Sequence, residues 1–116
     1  MNRLGVDFGT SHTVAVAMHA DGRVRPLLFD GGTPLLRSAV YADPGGELLV
    51  GRDALRRAGA DPGRLEPYPK QRIDEPSVLL GDRELSLVEL VVAVLGRVAA
   101  EAGRVFGGRP VETVLT

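Results

Sequence analysis

The segment LGVDFGTSHTVAV, residues 4–16, contains two apolar runs joined by a short polar turn, and this pattern predicts two β-strands. Asp7 lies at the end of the first run, between Val6 and Phe8, where buried neighbours are expected. Because an unpaired charge is costly to bury, we expect another group to compensate the Asp7 carboxylate. The segment therefore raises the question of what this carboxylate binds.

The turn after Asp7 combines a glycine with two hydroxyl side chains, in the order Gly9, Thr10, Ser11. Glycine permits a close approach of the backbone, and successive amides in such a turn can form a concave anion site, for which phosphate is the obvious ligand. Asp7 would then hold Mg²⁺ beside the phosphate through water, because direct contact between two anions is repulsive. The alternative is a plain hairpin in which Asp7 pairs with a local amide. The P-loop and Rossmann glycine patterns are absent.

The composition indicates a globular domain and gives no sign of a nucleic-acid or membrane partner. The chain has 116 residues, 44% hydrophobic and 25% charged, so it can bury one modest core. Its net charge of −1 provides no basic field for nucleic acid. Cysteine is absent, which excludes disulfides and thiolate metal sites, and no apolar run is long enough to span a membrane. We therefore expect a cytoplasmic protein without nucleic-acid or membrane partners.

Local signals predict a three-stranded meander, small hairpins and one long helix. Strands are expected in RLGVDF, TVAVAMH and VRPLLF, and the hairpin signal Asp21-Gly22 joins the last two. Further hairpins are expected in AVYADPGGELLVG and SVLLGDREL, a short helix in RDALRRAG, and an ordered loop over the proline-rich residues 60–76. The long helix begins with a capping box, Ser86 and Glu89, and ends at Gly107-Gly108. Its predicted apolar face consists of Leu87, Val91, Val94, Val98, Ala102 and Val105.

The segment RPVETVLT, residues 109–116, predicts a final apolar strand. Such a strand would expose an unpaired sheet edge, so we expect the sequence to be part of a longer domain. The same exposed edge is expected to favour self-association of the chain.

The turn VDFGTSHTVAV resembles the first phosphate-binding turn of the seventy-kilodalton heat-shock chaperones, members of the actin-like ATPase superfamily. The family signature is Ile/Val-Asp-Leu-Gly-Thr-Thr/Ser, from which Phe8 and the pair His12-Thr13 depart. YPKQRI resembles the family's Lys-Arg segment, and it contains Lys70, the single lysine of the chain. GGTPLLRSAVYADPGGELLVGRDAL and GRPVETVLT are similar to further segments, although Pro34 and Ser38 are separated where the family has Thr-Pro-Ser together.

The resemblance implies an α/β fold, namely a ribonuclease H-like (actin-like ATPase) first-lobe fragment. A three-stranded antiparallel meander, a helix and a further strand, from residues 1–38 and 86–116, would form the core portion. Residues 39–85 would form a small inserted α+β subdomain. The second phosphate loop, the adenosine pocket and the peptide-binding domain would lie outside this sequence.

The resemblance also implies ATP or ADP and magnesium as cofactors. Asp7 would orient the water molecules of Mg²⁺, and Lys70 would act on the γ-phosphate or the attacking water, so these two are the catalytic candidates. The nucleotide would contact a set of four residues in the turn, Gly9, Thr10, Ser11 and His12.

The implied partners are the nucleotide and the remaining part of the nucleotide-binding domain. Client peptides and co-chaperones would bind only through domains that this sequence lacks, and the isolated chain is expected to be inactive. Two alternatives stay open. One is a fragment of a sugar or acetate kinase of the same superfamily, against which the Lys-Arg segment argues, and the other is a non-catalytic interaction module.

Overall fold

The chain forms ten β-strands and two α-helices, and the computed structural model describes all of residues 1–116. In chain order the strands are β1 (Asn2–Phe8), β2 (His12–Met18), β3 (Val24–Pro26), β4 (Leu36–Arg37), β5 (Val40–Ala42), β6 (Leu48–Val50), β7 (Leu65–Glu66), β8 (Ser77–Leu80), β9 (Arg83–Ser86) and β10 (Val111–Leu115). The helices are α1 (Arg52–Ala58) and α2 (Leu87–Phe106), and 3-10 turns occur at Asp30–Gly32, Pro62–Arg64 and Pro69–Arg72. These elements confirm the predicted α/β class.

The main sheet has the strand order β10-β1-β2-β3, and β4 pairs with the start of β2. The strands β1, β2 and β3 form the predicted antiparallel meander. β10 pairs with β1 in parallel, with Asn2 opposite Val111, and α2 makes the connection that returns the chain to this edge. Alternation along β1 points Leu4, Val6 and Phe8 towards the core.

Two smaller sheets lie in the segment between the meander and α2. One has the order β6-β5-β7 and packs with α1, and the other is the β8-β9 hairpin. The β5-β6 and β8-β9 hairpins and the helix α1 confirm the sequence predictions. The segment 39–85 contributes Val40, Ala42 and Leu80 to the same apolar core as the meander and α2. Its treatment as an inserted subdomain remains a prediction.

The buried face of α2 agrees with the predicted one at Val94, Val98 and Ala102 and differs from it elsewhere. The residues that face the core recur every four positions and are Leu90, Val94, Val98, Ala102 and Phe106. Leu87, Val91 and Val105, which the prediction placed on this face, are only half-buried. The helix starts with the nearly continuous apolar run LVELVVAVL, so periodicity there fits several faces, and packing on the sheet selects one of them.

Two further boundaries differ from the predictions. The third strand ends at Pro26 rather than Phe29, because the chain turns into the 3-10 turn at Asp30–Gly32, although Leu27 still donates its N–H to the Ala15 carbonyl (2.8 Å). The proline-rich segment, which was predicted to be a loop, contains the short strand β7. Its high proline content gave no indication of a strand. Neither helix combines the length and the apolar composition needed to cross a membrane.

The capping box of α2 provides a stability test. Ser86 Oγ accepts a hydrogen bond from the Glu89 N–H (3.2 Å), and Glu89 Oε2 accepts one from the Ser86 N–H (2.8 Å). We expect Ser86→Ala to lower the free energy of unfolding by about 1 kcal/mol in urea denaturation. Ser86→Asp, which keeps an acceptor at the cap, is the control and should lose much less. Equal losses in both variants would contradict a role for the hydroxyl.

The exposed edge of β10 provides a test of self-association. Val114 and Leu115 are 50% and 54% exposed on this edge strand. We expect sedimentation velocity to show association that increases with concentration and that Val114→Lys reduces, because a charged edge strand resists pairing. Val88→Lys, at a position of α2 that is 69% exposed, is the matched control and should leave association unchanged. A chain that stays monomeric at high concentration would contradict this expectation.

Candidate phosphate-binding site

The turn between β1 and β2 is closed by a short backbone contact. The Gly9 N–H donates to the His12 carbonyl oxygen (3.0 Å). A Cβ atom at Gly9 would clash with that same oxygen, so the turn requires glycine because of close approach and not because of a positive φ. The Gly9 amide is therefore already paired, whereas the amides and hydroxyls of Thr10 and Ser11 have no acceptor within the chain. Two of the three predicted amides are available to a ligand.

Two buried hydroxyl groups hold the turn from the inner side. Ser38 Oγ donates to the Gly9 carbonyl (3.0 Å), and Thr13 Oγ1 lies 2.8 Å from Ser38 Oγ. Because Ser38 has only one hydroxyl proton, Thr13 must be the donor in the second bond. The Ser38 N–H also donates to the Ser11 carbonyl (2.9 Å). Both side chains are fully buried, and neither was among the predicted site residues.

Asp7 is exposed, which corrects the expectation of a buried and compensated carboxylate. Its neighbours Val6 and Phe8 are buried as expected, but strand alternation turns Asp7 to the opposite face of the sheet. The carboxylate forms no hydrogen bond or ion pair with another residue, so the local hairpin pairing is not found either. The carboxylate is therefore open to solvent beside the turn.

Lys70 lies next to the same end of β1. Its Nζ atom donates to the Phe8 carbonyl oxygen at 3.0 Å, across a separation of 62 residues. The structure thus brings Lys70 to the backbone of Phe8, the residue between Asp7 and the turn. Lys70 also lines an open, mainly apolar cleft of about 380 Å³, together with Phe8, Ile73, Leu87, Val91 and Leu115.

A buried carboxylate, Glu66, anchors the segment that carries Lys70. Glu66 is 3% exposed, and it accepts hydrogen bonds from Arg72 Nε (2.6 Å) and from the Tyr68 N–H (2.8 Å). These contacts fix the chain at Tyr68 and at Arg72, on either side of Lys70. The hydrogen bond from Arg72 to Glu66 raises the pKa of the Arg72 guanidinium, and a second acceptor, Glu75, adds to this effect. Arg72 is therefore a structural anchor of the lysine segment.

His12 is exposed at the start of β2, directly after the two hydroxyl residues. It pairs in register with Arg37 of β4 and makes no side-chain hydrogen bond. The assembled group consists of an exposed carboxylate, two free amides, two hydroxyls and one ammonium. Such groups suit a phosphate and a hydrated divalent cation.

Comparison with known proteins points to chaperones. No protein-family model matches the chain. The chain is 28% identical over 114 residues to the chaperone protein DnaK of Thermotoga neapolitana, which covers 97% of the chain and 19% of that relative. DnaK proteins of Thermotoga petrophila and Thermotoga maritima have the same identity and coverage. The chain is thus distantly similar to these chaperones and spans about a fifth of their length.

The buried hydroxyl pair provides a test of how the turn is held. Ser38→Ala would leave the Gly9 carbonyl and the Thr13 hydroxyl without partners in the interior. We expect a loss of about 1–3 kcal/mol in the free energy of unfolding, measured in urea. Ser77→Ala removes an exposed hydrogen bond to Glu84 (2.6 Å) and should cost less than about 0.5 kcal/mol. Similar losses in the two variants would show that the buried pair does not support the turn.

Proposed function

We propose that this chain forms part of the nucleotide-binding domain of an ATP-hydrolysing chaperone of the heat-shock-protein-70 type. The observation that carries the proposal is the hydrogen bond from Lys70 Nζ to the Phe8 carbonyl, since it brings the only lysine to the Asp7 turn. The distant similarity to DnaK over 97% of the chain supports it independently. Residues 1–38 and 86–116 would belong to a ribonuclease H-like first lobe, and residues 39–85 to an inserted subdomain.

Each residue of the proposed site has a physical role in binding MgATP or MgADP. The amides and hydroxyls of Thr10 and Ser11 would donate to phosphate oxygens, and Gly9 allows the backbone to approach. Asp7 would accept hydrogen bonds from the water shell of Mg²⁺, which supplies charge neutralisation when it is bound. Lys70, a mobile point charge, would exchange its carbonyl acceptor for a phosphate oxygen.

His12 would lie against the nucleotide from the end of the turn, because it is exposed and follows the two hydroxyl residues directly. Its ring can offer one nitrogen as a donor. The role of His12 is therefore to add a contact at the edge of the site.

The proposed site is open on one side, and this limits what the isolated chain can do. Phosphoryl transfer requires groups that surround the γ-phosphate, and this chain supplies groups from one direction only. In the whole protein, the rest of the nucleotide-binding domain would close the site, and client peptides and co-chaperones would bind elsewhere. The proposed compartment is the cytoplasm. We accordingly expect the 116-residue chain to bind nucleotide weakly and to have no ATPase activity.

Calorimetric titration of MgATP and MgADP tests the proposal. The titrations use the 116-residue chain and a polypeptide that extends it along its reading frame. We expect the extended form to bind at least tenfold more tightly, and we expect Asp7→Asn and Lys70→Ala to abolish that binding. Arg56→Ala removes an exposed cation on α1 that has no ion pair, so it is the matched control and should bind normally.

Two results would contradict the proposal, and a third would contradict the expectation that the isolated chain is inactive. Normal affinity in both site variants would separate the turn from nucleotide binding. An absence of binding in the extended form would favour a non-catalytic module. Turnover by the 116-residue chain that Asp7→Asn abolishes would show that one lobe suffices.

A further inference from the structure

A second cluster of polar side chains lies at the end of the sheet opposite the Asp7 turn. There the start of β1, the end of β2 and the C-terminal end of α2 enclose a cleft of about 310 Å³. We call it the basic cleft, and its polar lining residues are Asn2, His19, Arg23, Arg104 and Arg109. None of these residues takes part in the proposed nucleotide site.

The three arginines of the basic cleft are exposed, and most of their N–H groups have no acceptor within the chain. Arg23 Nε donates to Asp21 (2.8 Å) and Arg104 Nε donates to Glu101 (3.0 Å), so each guanidinium is oriented by one bond. Their terminal amino groups have no acceptor in the chain. Arg109 has no carboxylate within 4 Å, and it adds an uncompensated positive charge. Arginine in this state is well suited to bind an oxyanion through two parallel hydrogen bonds.

The two acidic residues beside the basic cleft, Asp21 and Glu101, each bond to an arginine. A hydrogen bond from the Arg23 backbone amide keeps the pKa of Asp21 below its usual value. Glu101 is 9% exposed and lies between Arg104 and Arg97. Each carboxylate therefore accepts a hydrogen bond that orients one arginine of the cleft.

His19 adds a second, independent observation. Its Nε2 atom is shielded from solvent and has no hydrogen-bond partner, a condition shared in this chain only by Arg37 Nε. The ring packs against Phe106, with 5.0 Å between centroids. Asn2 Oδ1 accepts a hydrogen bond from the Ala20 N–H (2.9 Å), which leaves the amide NH₂ group of Asn2 without an acceptor. Because buried polar groups are normally paired, the unpaired His19 Nε2 atom indicates a missing partner at this end of the sheet, and the Asn2 amide adds an accessible donor beside it.

We propose that the basic cleft binds a phosphate group, either as inorganic phosphate or as the phosphomonoester of a small molecule. A tetrahedral dianion can accept bonds from several guanidinium groups at once, and the donors here greatly outnumber the acceptors. The volume leaves room for a small organic group beside the phosphate. The competing explanation is that the arginines only offset the partial negative charge at the C-terminal end of α2.

The two histidines of the chain allow a site-resolved test by NMR. His19 lies in the basic cleft and His12 in the Asp7 turn, so their ring resonances report on the two sites separately. The 116-residue chain is titrated with inorganic phosphate and, in a second arm, with glycerol 3-phosphate, each against KCl at matched ionic strength. We expect a saturable shift of the His19 resonances in at least one arm that KCl does not reproduce. Tighter binding of glycerol 3-phosphate would identify the ester as the better ligand, and tighter binding of phosphate would identify the free ion.

Substitutions then assign the response to the arginines. Arg109→Gln and Arg104→Gln should each weaken the binding seen at His19 at least fivefold. Arg56→Gln, an exposed arginine on α1, and Lys70→Ala, in the Asp7 turn site, should leave it unchanged. Circular dichroism on each variant verifies that the fold is kept.

Three results would overturn the proposal of a phosphate site. These are a His19 response equal to that in KCl, no response at all, and a response that survives both Arg109→Gln and Arg104→Gln. A response that falls with Lys70→Ala would also overturn it, because the binding would then belong to the Asp7 turn. If nucleotide does not bind at the Asp7 turn, the His12 resonances stay unchanged, whereas the His19 response to phosphate is not affected. The two proposals can therefore fail independently.

Discussion

The buried hydrogen bonds that run from Thr13 through Ser38 to the Gly9 carbonyl fix the geometry on which the candidate site depends. They join three pieces of chain, the turn after β1, the start of β2 and the residue after β4. Because water does not reach these groups, no solvent molecule can replace either hydroxyl. The turn is therefore held from inside the protein, and Thr10 and Ser11 keep their polar groups for the outer side.

The elements with local signals could be predicted from the sequence. The meander follows from alternation and from Asp21-Gly22, and α2 begins at its capping box and ends at Gly107, whose φ of 62° favours glycine. The rotation of α2 on the sheet could not be predicted. Leu90 and Phe106 are buried because they pack into the shared apolar core. The first turns of this helix are apolar on several sides, so tertiary packing decides which face is buried.

The candidate site was predictable in part. Only the family resemblance connected the lysine segment with the turn, since no local pattern links residues 62 positions apart. The exposure of Asp7 follows from alternation along β1, so it could have been predicted from the strand pattern. Glu66 and Ser38 gave no usable local signal, because their roles arise from contacts between distant segments.

The parallel pairing of β1 with β10 has a consequence for the order of folding. Asn2 and Val111 are partners at the two ends of the chain, so their contact closes a loop that includes nearly every other element. The hairpins and α2 form from neighbouring residues at a much smaller entropic cost. We therefore expect the edge strand to join a sheet that already exists, and to be able to detach while that sheet stays folded. The Phe8 amide, which donates to the Thr116 carbonyl (3.4 Å), would lose that partner while the meander stays intact.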